Sequence, residues 1–232
     1  MSPSDVVIVA ARRTPIGAFL GALSPLSAVQ LGSAAIKAAL EFSGVAATDL
    51  QEVIMGCVLP AGLGQAPARQ AALGAGVPVG VPATTINKMC GSGLKAVMMA
   101  ADQIRSGTAD IVLAGGLESM SNAPYLLPKA RTGYRMGPGE LVDHMMRDGL
   151  QSAFDGKPMG VFADATAAKY NFSRAQQDAF ATESVRRAMA ALERGDFDTE
   201  VTPVTVKSRK GETVIARDEI PGTCDISKIA SM

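Results

Sequence analysis

The sequence predicts an α/β fold, a largely parallel sheet layered between helices and followed by a smaller second unit. Three observations carry the prediction. Short apolar runs alternate with amphipathic stretches through residues 1–116, the pattern of strands joined by crossover helices. Helix starts and stops are spelled out: Ser27 with Gln30 and Ser173 with Gln176 read as capping boxes, and Gly44, Gly107 and Gly195 as stops. After Gly116 the alternation gives way to proline, glycine and basic residues.

In order along the chain, Val6–Ala11 is an apolar run stopped at Thr14-Pro15 and reads as a buried strand. The first helix follows Ser27, with Leu31, Ala35, Ala38 and Phe42 on one face. Glu52–Leu59 returns to strand character, Gln65–Ala75 to a short helix, and Ala83–Met89 to strand. Leu94, Val97, Met98, Ala101 and Ile104 form the apolar stripe of the next helix, and Asp110–Ala114 is a compact strand leading into Gly115-Gly116. Such an order makes a parallel sheet covered on both faces. Residues 119–140 hold Pro124, Pro128 and Pro138 beside Lys129, Arg131 and Arg135, an ordered excursion or linker. Beyond Ser173 a helix carries Ala181, Val185, Ala188, Met189 and Leu192 on one face, and Val201–Lys207 and Glu212–Ala216 are short strands.

Composition removes several function classes. With 22 basic and 22 acidic side chains the formal charge is zero, so no broad positive field exists for nucleic acid or an anionic membrane. No apolar run approaches the roughly 18 residues of a spanning helix, and the opening Met1–Asp5 has no basic start. Three cysteines, Cys57, Cys90 and Cys224, are an odd number without ligand-like spacing, which argues against disulfides and a metal site and for a reducing compartment, by default the cytoplasm. The glycines at 56, 62 and 64 match no nucleotide fingerprint.

The chemistry concentrates in Asn87-Lys88-Met89-Cys90-Gly91-Ser92-Gly93-Leu94, where a strand ends and a helix begins. Unpaired N–H groups of a first helical turn favour negative charge, and a cysteine there can ionise well below the roughly 8.5 of a free thiol. Gly91 and Gly93 lack β-carbons and let a carbonyl approach the backbone, whose N–H groups then stabilise an oxyanion. The competing reading of the pattern alone is a buried, inert cysteine. The only histidine, His144, lies in the polar stretch Val142–Asp148 and reads as a solvated surface residue. Cys57 reads as core and Cys224 as an incidental thiol.

These residues resemble the nucleophile motif of the thiolase family, and the match continues in Arg13-Thr14-Pro15-Ile16-Gly17, Gln65-Ala66-Pro67-Ala68-Arg69-Gln70 and Ala114–Ser121. Gly149-Leu150, Met159-Gly160 and Ser173–Phe180 are similar to the family's loop domain. The resemblance implies a layered α-β-α core domain over residues 1–118 and a loop domain over 119–232, with a carboxy-terminal half absent. It implies an acyl-CoA acyltransferase that condenses two acetyl-CoA or cleaves 3-ketoacyl-CoA through an acyl-cysteine at Cys90. Leu150, Met159 and Lys228 match or fall near positions lining a coenzyme A channel; coenzyme A is then a substrate, and no cofactor is implied. Family members are dimers or tetramers, with a loop like Tyr125–Gly139 taking part in assembly.

The chain also departs from the pattern. Thiolases place a catalytic histidine, an asparagine and a second cysteine in a half beyond Met232, so a polypeptide of these residues alone is expected to be inert, a truncated product or one piece of a larger assembly with exposed strand edges. Pro158 stands where many bacterial members have histidine, and Asp218–Gly222 lacks an arginine some members carry. Ketoacyl-synthase-type condensing enzymes share the cysteine turn but follow it with serines and lack the Gly115–Ser121 motif. The other readings are a non-catalytic acyl-CoA- or lipid-binding thiolase-like protein and an interaction module with a walled-off Cys90.

Overall fold

The computed structural model describes residues 5–209 and 211–231; Met1–Ser4 of the opening segment, Lys210 and Met232 lie outside the described residues. Three strands, β1 (Glu52–Gly56), β2 (Ala83–Ile86) and β3 (Val112–Gly116), form a parallel sheet in the order β2-β1-β3. Parallel neighbours require crossovers: α2 (Pro67–Gly74) joins β1 to β2 and α3 (Ser92–Arg105) joins β2 to β3, while α1 (Ala28–Ser43) precedes the sheet. The α/β class read from the sequence is thus the observed one.

Side-chain alternation along β1 sorts the layers. Val53, Met55 and Cys57 point to one face and join Ile36 of α1 and Ala68, Ala71 and Ala72 of α2 in the main core. Ile54 and Gly56 point to the other face, where α3 lies against β1 and β3. Both capping boxes are present, and Gly44 and Gly195 close their helices with positive φ values of 69° and 73°.

The structure corrects three sequence readings. Val6–Ala11 is extended but pairs with no strand among the described residues: Val7, Ile8 and Val9 are 71%, 77% and 61% exposed. A cleft of about 530 Å³, walled by Val6–Arg12 on one side and Val112–Gly116 on the other, separates the segment from the nearest sheet edge. A strand exists only where a neighbour accepts its hydrogen bonds, and among the described residues none pairs with this segment. On α1 the buried positions are Ala28, Gly32, Ile36 and Ala38, whereas Phe42 is exposed beneath the Arg12 guanidinium. On α3 they are Ser92, Ala96 and Ala100, whereas Leu94 and Met98 of the expected stripe are 69% and 52% exposed. α3 approaches through its smallest residues, and α1 through Ala28, Gly32 and Ala38 around the larger Ile36, because closeness to the sheet, rather than side-chain size, sets which face is covered.

The later region contains the two-residue ladder of β4 (Tyr125–Leu126) with β5 (Val142–Asp143), a π-helical turn Met145–Leu150, the helices α4 (Met159–Lys169) and α5 (Arg174–Arg194), and an antiparallel hairpin of β6 (Val204–Ser208) and β7 (Gly211–Ile215). That hairpin packs back on the first unit: Val204 and Val206 form a second core cluster with Leu23, flanked by Leu26, Leu31 and Ala34. Arg13 reinforces the junction, pairing with Glu200 at 2.6 Å and with both carboxylate oxygens of Asp218 at 2.6 and 2.9 Å. The Arg13 guanidinium first, and then the Ile16 N–H, hold the Asp218 carboxyl below the ordinary aspartate range. Glu219 accepts hydrogen bonds from the Ala18 and Ala22 N–H groups, so the second region clasps the loop before α1.

Candidate active site

The carboxyl ends of three parallel strands converge on one rim of the sheet, the edge where open α/β proteins place their ligands. From β2 the chain leaves at Ile86, turns through Asn87–Gly91 and enters α3 at Ser92. Met89 takes a left-handed conformation with φ +52°, unusual for a residue with a side chain. Its N–H donates to Asn87 Oδ1 at 2.8 Å, and its carbonyl accepts from the Ser92 N–H at 2.9 Å and from the Ser92 hydroxyl at 2.6 Å. Beyond that reversal Cys90 is exposed to solvent.

Glycine lets the helix start sit directly on the strands. A β-carbon at Gly56 would come within 2.5 Å of Ser92 Cβ and 2.8 Å of the Gly93 nitrogen, and one at Gly116 within 3.4 Å of Gly93 Cα. Gly91 is the N-cap residue and offers no side chain to the first-turn N–H groups. With the Ser92 N–H already bonded to the Met89 carbonyl, the start of α3 presents the Gly93 and Leu94 N–H groups and the positive end of its dipole beside the Cys90 turn.

The other two thiols are placed differently. Cys57 is 2% exposed, and burial first, then the neighbouring Glu118 carboxylate, pushes its thiol up to about 12. Glu118 itself accepts hydrogen bonds from the Val58 and Leu59 N–H groups at 2.7 and 3.1 Å, fixing the loop that leaves β1. Cys224 is half-buried at the end of the short turn Ile220–Thr223.

His144 overturns its surface reading. The side chain is buried, its Nδ1 lies 2.6 Å from Asp148 Oδ2, and its Nε2 accepts a hydrogen bond from the Ala61 N–H at 3.4 Å. With both ring nitrogens engaged, it pins the Met145–Leu150 turn onto the loop after β1 rather than meeting solvent. A one-turn polar stretch carries too little periodicity to reveal which side faces inward.

Leu150 ends that π-helical turn, half-buried, and Met159 opens α4, about half exposed. The bridge between Gln151 and Pro158 brings the two together. Lys228 lies on the turn Ile226–Ser231 against α5, exposed and 3.4 Å from Asp225. No hydrogen bond or ion pair among the described residues joins Cys90 to Leu150, Met159 or Lys228. No helix among the described residues is long and apolar enough to cross a membrane.

Sequence reading passed over Asn87, Ser92 and Glu118 as functional supports. The motif string contains the first two, but only the left-handed Met89 between them explains what their side chains hold, and a methionine carries no signal for that conformation.

The chain is thus an α/β protein with an exposed cysteine on a tight strand-to-helix turn at the carboxyl rim of a parallel sheet. The thiolase N-terminal domain family matches residues 6–231. The chain is 55% identical to an acetyl-CoA acetyltransferase of Pseudomonas aeruginosa over 208 residues, 90% of this chain and 53% of that protein. It is 53% identical to an acetyl-CoA acetyltransferase of Cupriavidus necator, across 91% of this chain and 54% of that one. Acetyl-CoA acetyltransferase 2 of Arabidopsis thaliana is 49% identical over all of this chain and 58% of its own length. The chain belongs to the thiolase family, and it spans about half the length of the curated relatives it matches.

Proposed function

We propose that this chain carries the acyl-accepting half of a thiolase-type acyl-coenzyme A acyltransferase, with Cys90 as the nucleophile. One observation carries the reading: of the three thiols, Cys90 is the one exposed, and it stands on the turn before an uncapped helix start. As thiolate, Cys90 Sγ adds to the carbonyl carbon of an acyl-CoA thioester. The first-turn N–H groups of α3 face the oxygen as it gains charge. Collapse breaks the bond to coenzyme A, which leaves as a thiolate and takes up a proton, and the acyl group stays on Cys90. One thioester is exchanged for another, so the step is close to isoenergetic. In condensation the enolate of a second acetyl-CoA then attacks the acyl-cysteine; in the reverse direction coenzyme A cleaves a 3-ketoacyl-CoA.

Leu150 and Met159, held together by the Gln151–Pro158 bridge, are assigned to the channel for the pantetheine arm, and Lys228 to a further coenzyme A contact. The division into a core domain over 1–118 and a loop domain over 119–232 is proposed on the same footing. His144 is already committed to Asp148 and Ala61, which leaves these 232 residues without a histidine base for turnover. Full thiolysis by this polypeptide alone is therefore expected to be absent.

Protection against alkylation tests the assignment. Coenzyme A is expected to slow iodoacetamide labelling of Cys90 in proportion to its occupancy while Cys224 reacts at its own rate. Equal labelling of Cys90 with and without saturating coenzyme A contradicts a binding site at that turn.

A further inference from the structure

We infer that Asn87 and Ser92 are positioning residues for Cys90: their side chains hold Met89 in its left-handed conformation, and that conformation turns the sulfur outward. The inference rests on the nucleophile reading above and adds the device that maintains it. Both peptide groups flanking Met89 are held by side chains. Asn87 Oδ1 takes the N–H on one side, and the Ser92 hydroxyl donates to the carbonyl on the other. The same hydroxyl accepts the Lys88 N–H at 2.8 Å, so one oxygen ties residues 88, 89 and 92 together.

These are not helix-capping bonds. Ser92 is the first residue of α3, and its hydroxyl reaches back into the turn, not forward to helical N–H groups. Its side chain is 4% exposed, and its Cβ sits so close to Gly56 that the hydroxyl is fixed in direction by the sheet beneath it. A residue with a β-carbon resists the left-handed region, so without these partners the turn relaxes towards ordinary backbone. Cys90 then loses its fixed place beside the α3 amides.

The test is the ratio of Cys90 to Cys224 alkylation rates in the native chain, resolved by peptide mass. Ser92→Ala and, independently, Asn87→Ala are expected to lower that ratio about five- to thirtyfold, the equilibrium cost of a left-handed residue expressed as a population. Adding Met89→Gly to Ser92→Ala is expected to restore the ratio to within about twofold, because glycine adopts the conformation without support. A merely structural serine predicts no such rescue. A high wild-type ratio that Ser92→Ala and Asn87→Ala leave unchanged, or a fall that Met89→Gly does not reverse, overturns the inference. A wild-type ratio near one overturns the nucleophile reading beneath it, a separate result.

Discussion

Replacing Gly56 by alanine tests how the turn is seated. Gly56 ends β1 directly beneath the first residues of α3, and an added methyl would stand 2.5 Å from Ser92 Cβ, 2.6 Å from the Ser92 carbonyl carbon and 2.8 Å from the Gly93 nitrogen. Two of those three atoms are backbone, so no rotamer change relieves the contact. Reaching even the tight limit of 3.4 Å requires the helix start to move by about 1 Å, within an interior that is already close-packed. Overpacking of this kind typically costs about 1–3 kcal/mol. The upper half of that range applies here, because backbone must move and the strand is central to the sheet. Urea unfolding of Gly56→Ala, with Gly80→Ala as a control that meets nothing within 4 Å, reads the difference directly. A midpoint loss equivalent to about 2–3 kcal/mol in the first variant and less than about 0.5 kcal/mol in the second is expected. Equal midpoints would refute the close seating of α3 on β1, and with it the reason glycines surround the cysteine turn.

Other outcomes follow from the same contacts. With its thiol pushed up to about 12, Cys57 keeps its proton near neutral pH, so at about pH 8 only on the order of one molecule in ten thousand carries a thiolate there. Native-state alkylation should leave Cys57 unmodified until the chain unfolds; labelling at the Cys224 rate would contradict its burial. Arg13 holds the Asp218 carboxyl below its unfolded value, so this stabilisation is present above about pH 4 and is lost as pH falls through the lowered value. Asp218→Asn should accordingly lower the thermal midpoint at neutral pH and flatten its decline in acid, and an unchanged acid limb would count against the clasp. His144→Phe keeps an aromatic ring, slightly larger, but leaves the Ala61 N–H and Asp148 without their partner, at an expected cost of about 1–3 kcal/mol in urea midpoint. A neutral substitution would show that the Met145–Leu150 turn is anchored by other means.

Local signals in the sequence were enough to place most elements. The capping boxes at Ser27 and Ser173 and the stops at Gly44 and Gly195 mark helix ends to within a residue, because each is satisfied by side chains or φ values a few positions away. The parallel order β2-β1-β3 was legible as a class but not as a register. Faces were the weak point. On α3 the large apolar residues Leu94 and Met98 outweigh Ala96 and Ala100 in any hydrophobic pattern, yet the sheet beneath is lined by glycine and admits only the small face. Val6–Ala11 failed for a different reason. Its composition suits a strand, but pairing is a property of two segments, and the cleft beside β3 separates this one from a partner. At the site, the position of Cys90 between strand and helix could be read directly. The backbone reversal at Met89 and the burial of His144 could not, since both are set by contacts distant in sequence or invisible in residue type.

The proposed chemistry places an acyl group from a coenzyme A thioester on the Cys90 sulfur. Incubating the chain with acetyl-CoA, quenching in acid and mapping acetylated peptides tests it without requiring turnover. One acetyl group on the peptide containing Cys90, absent in Cys90→Ala and removed by added coenzyme A, is the predicted result. Acetylation spread equally over Cys90 and Cys224, or none at Cys90 under saturating acetyl-CoA, would contradict the account.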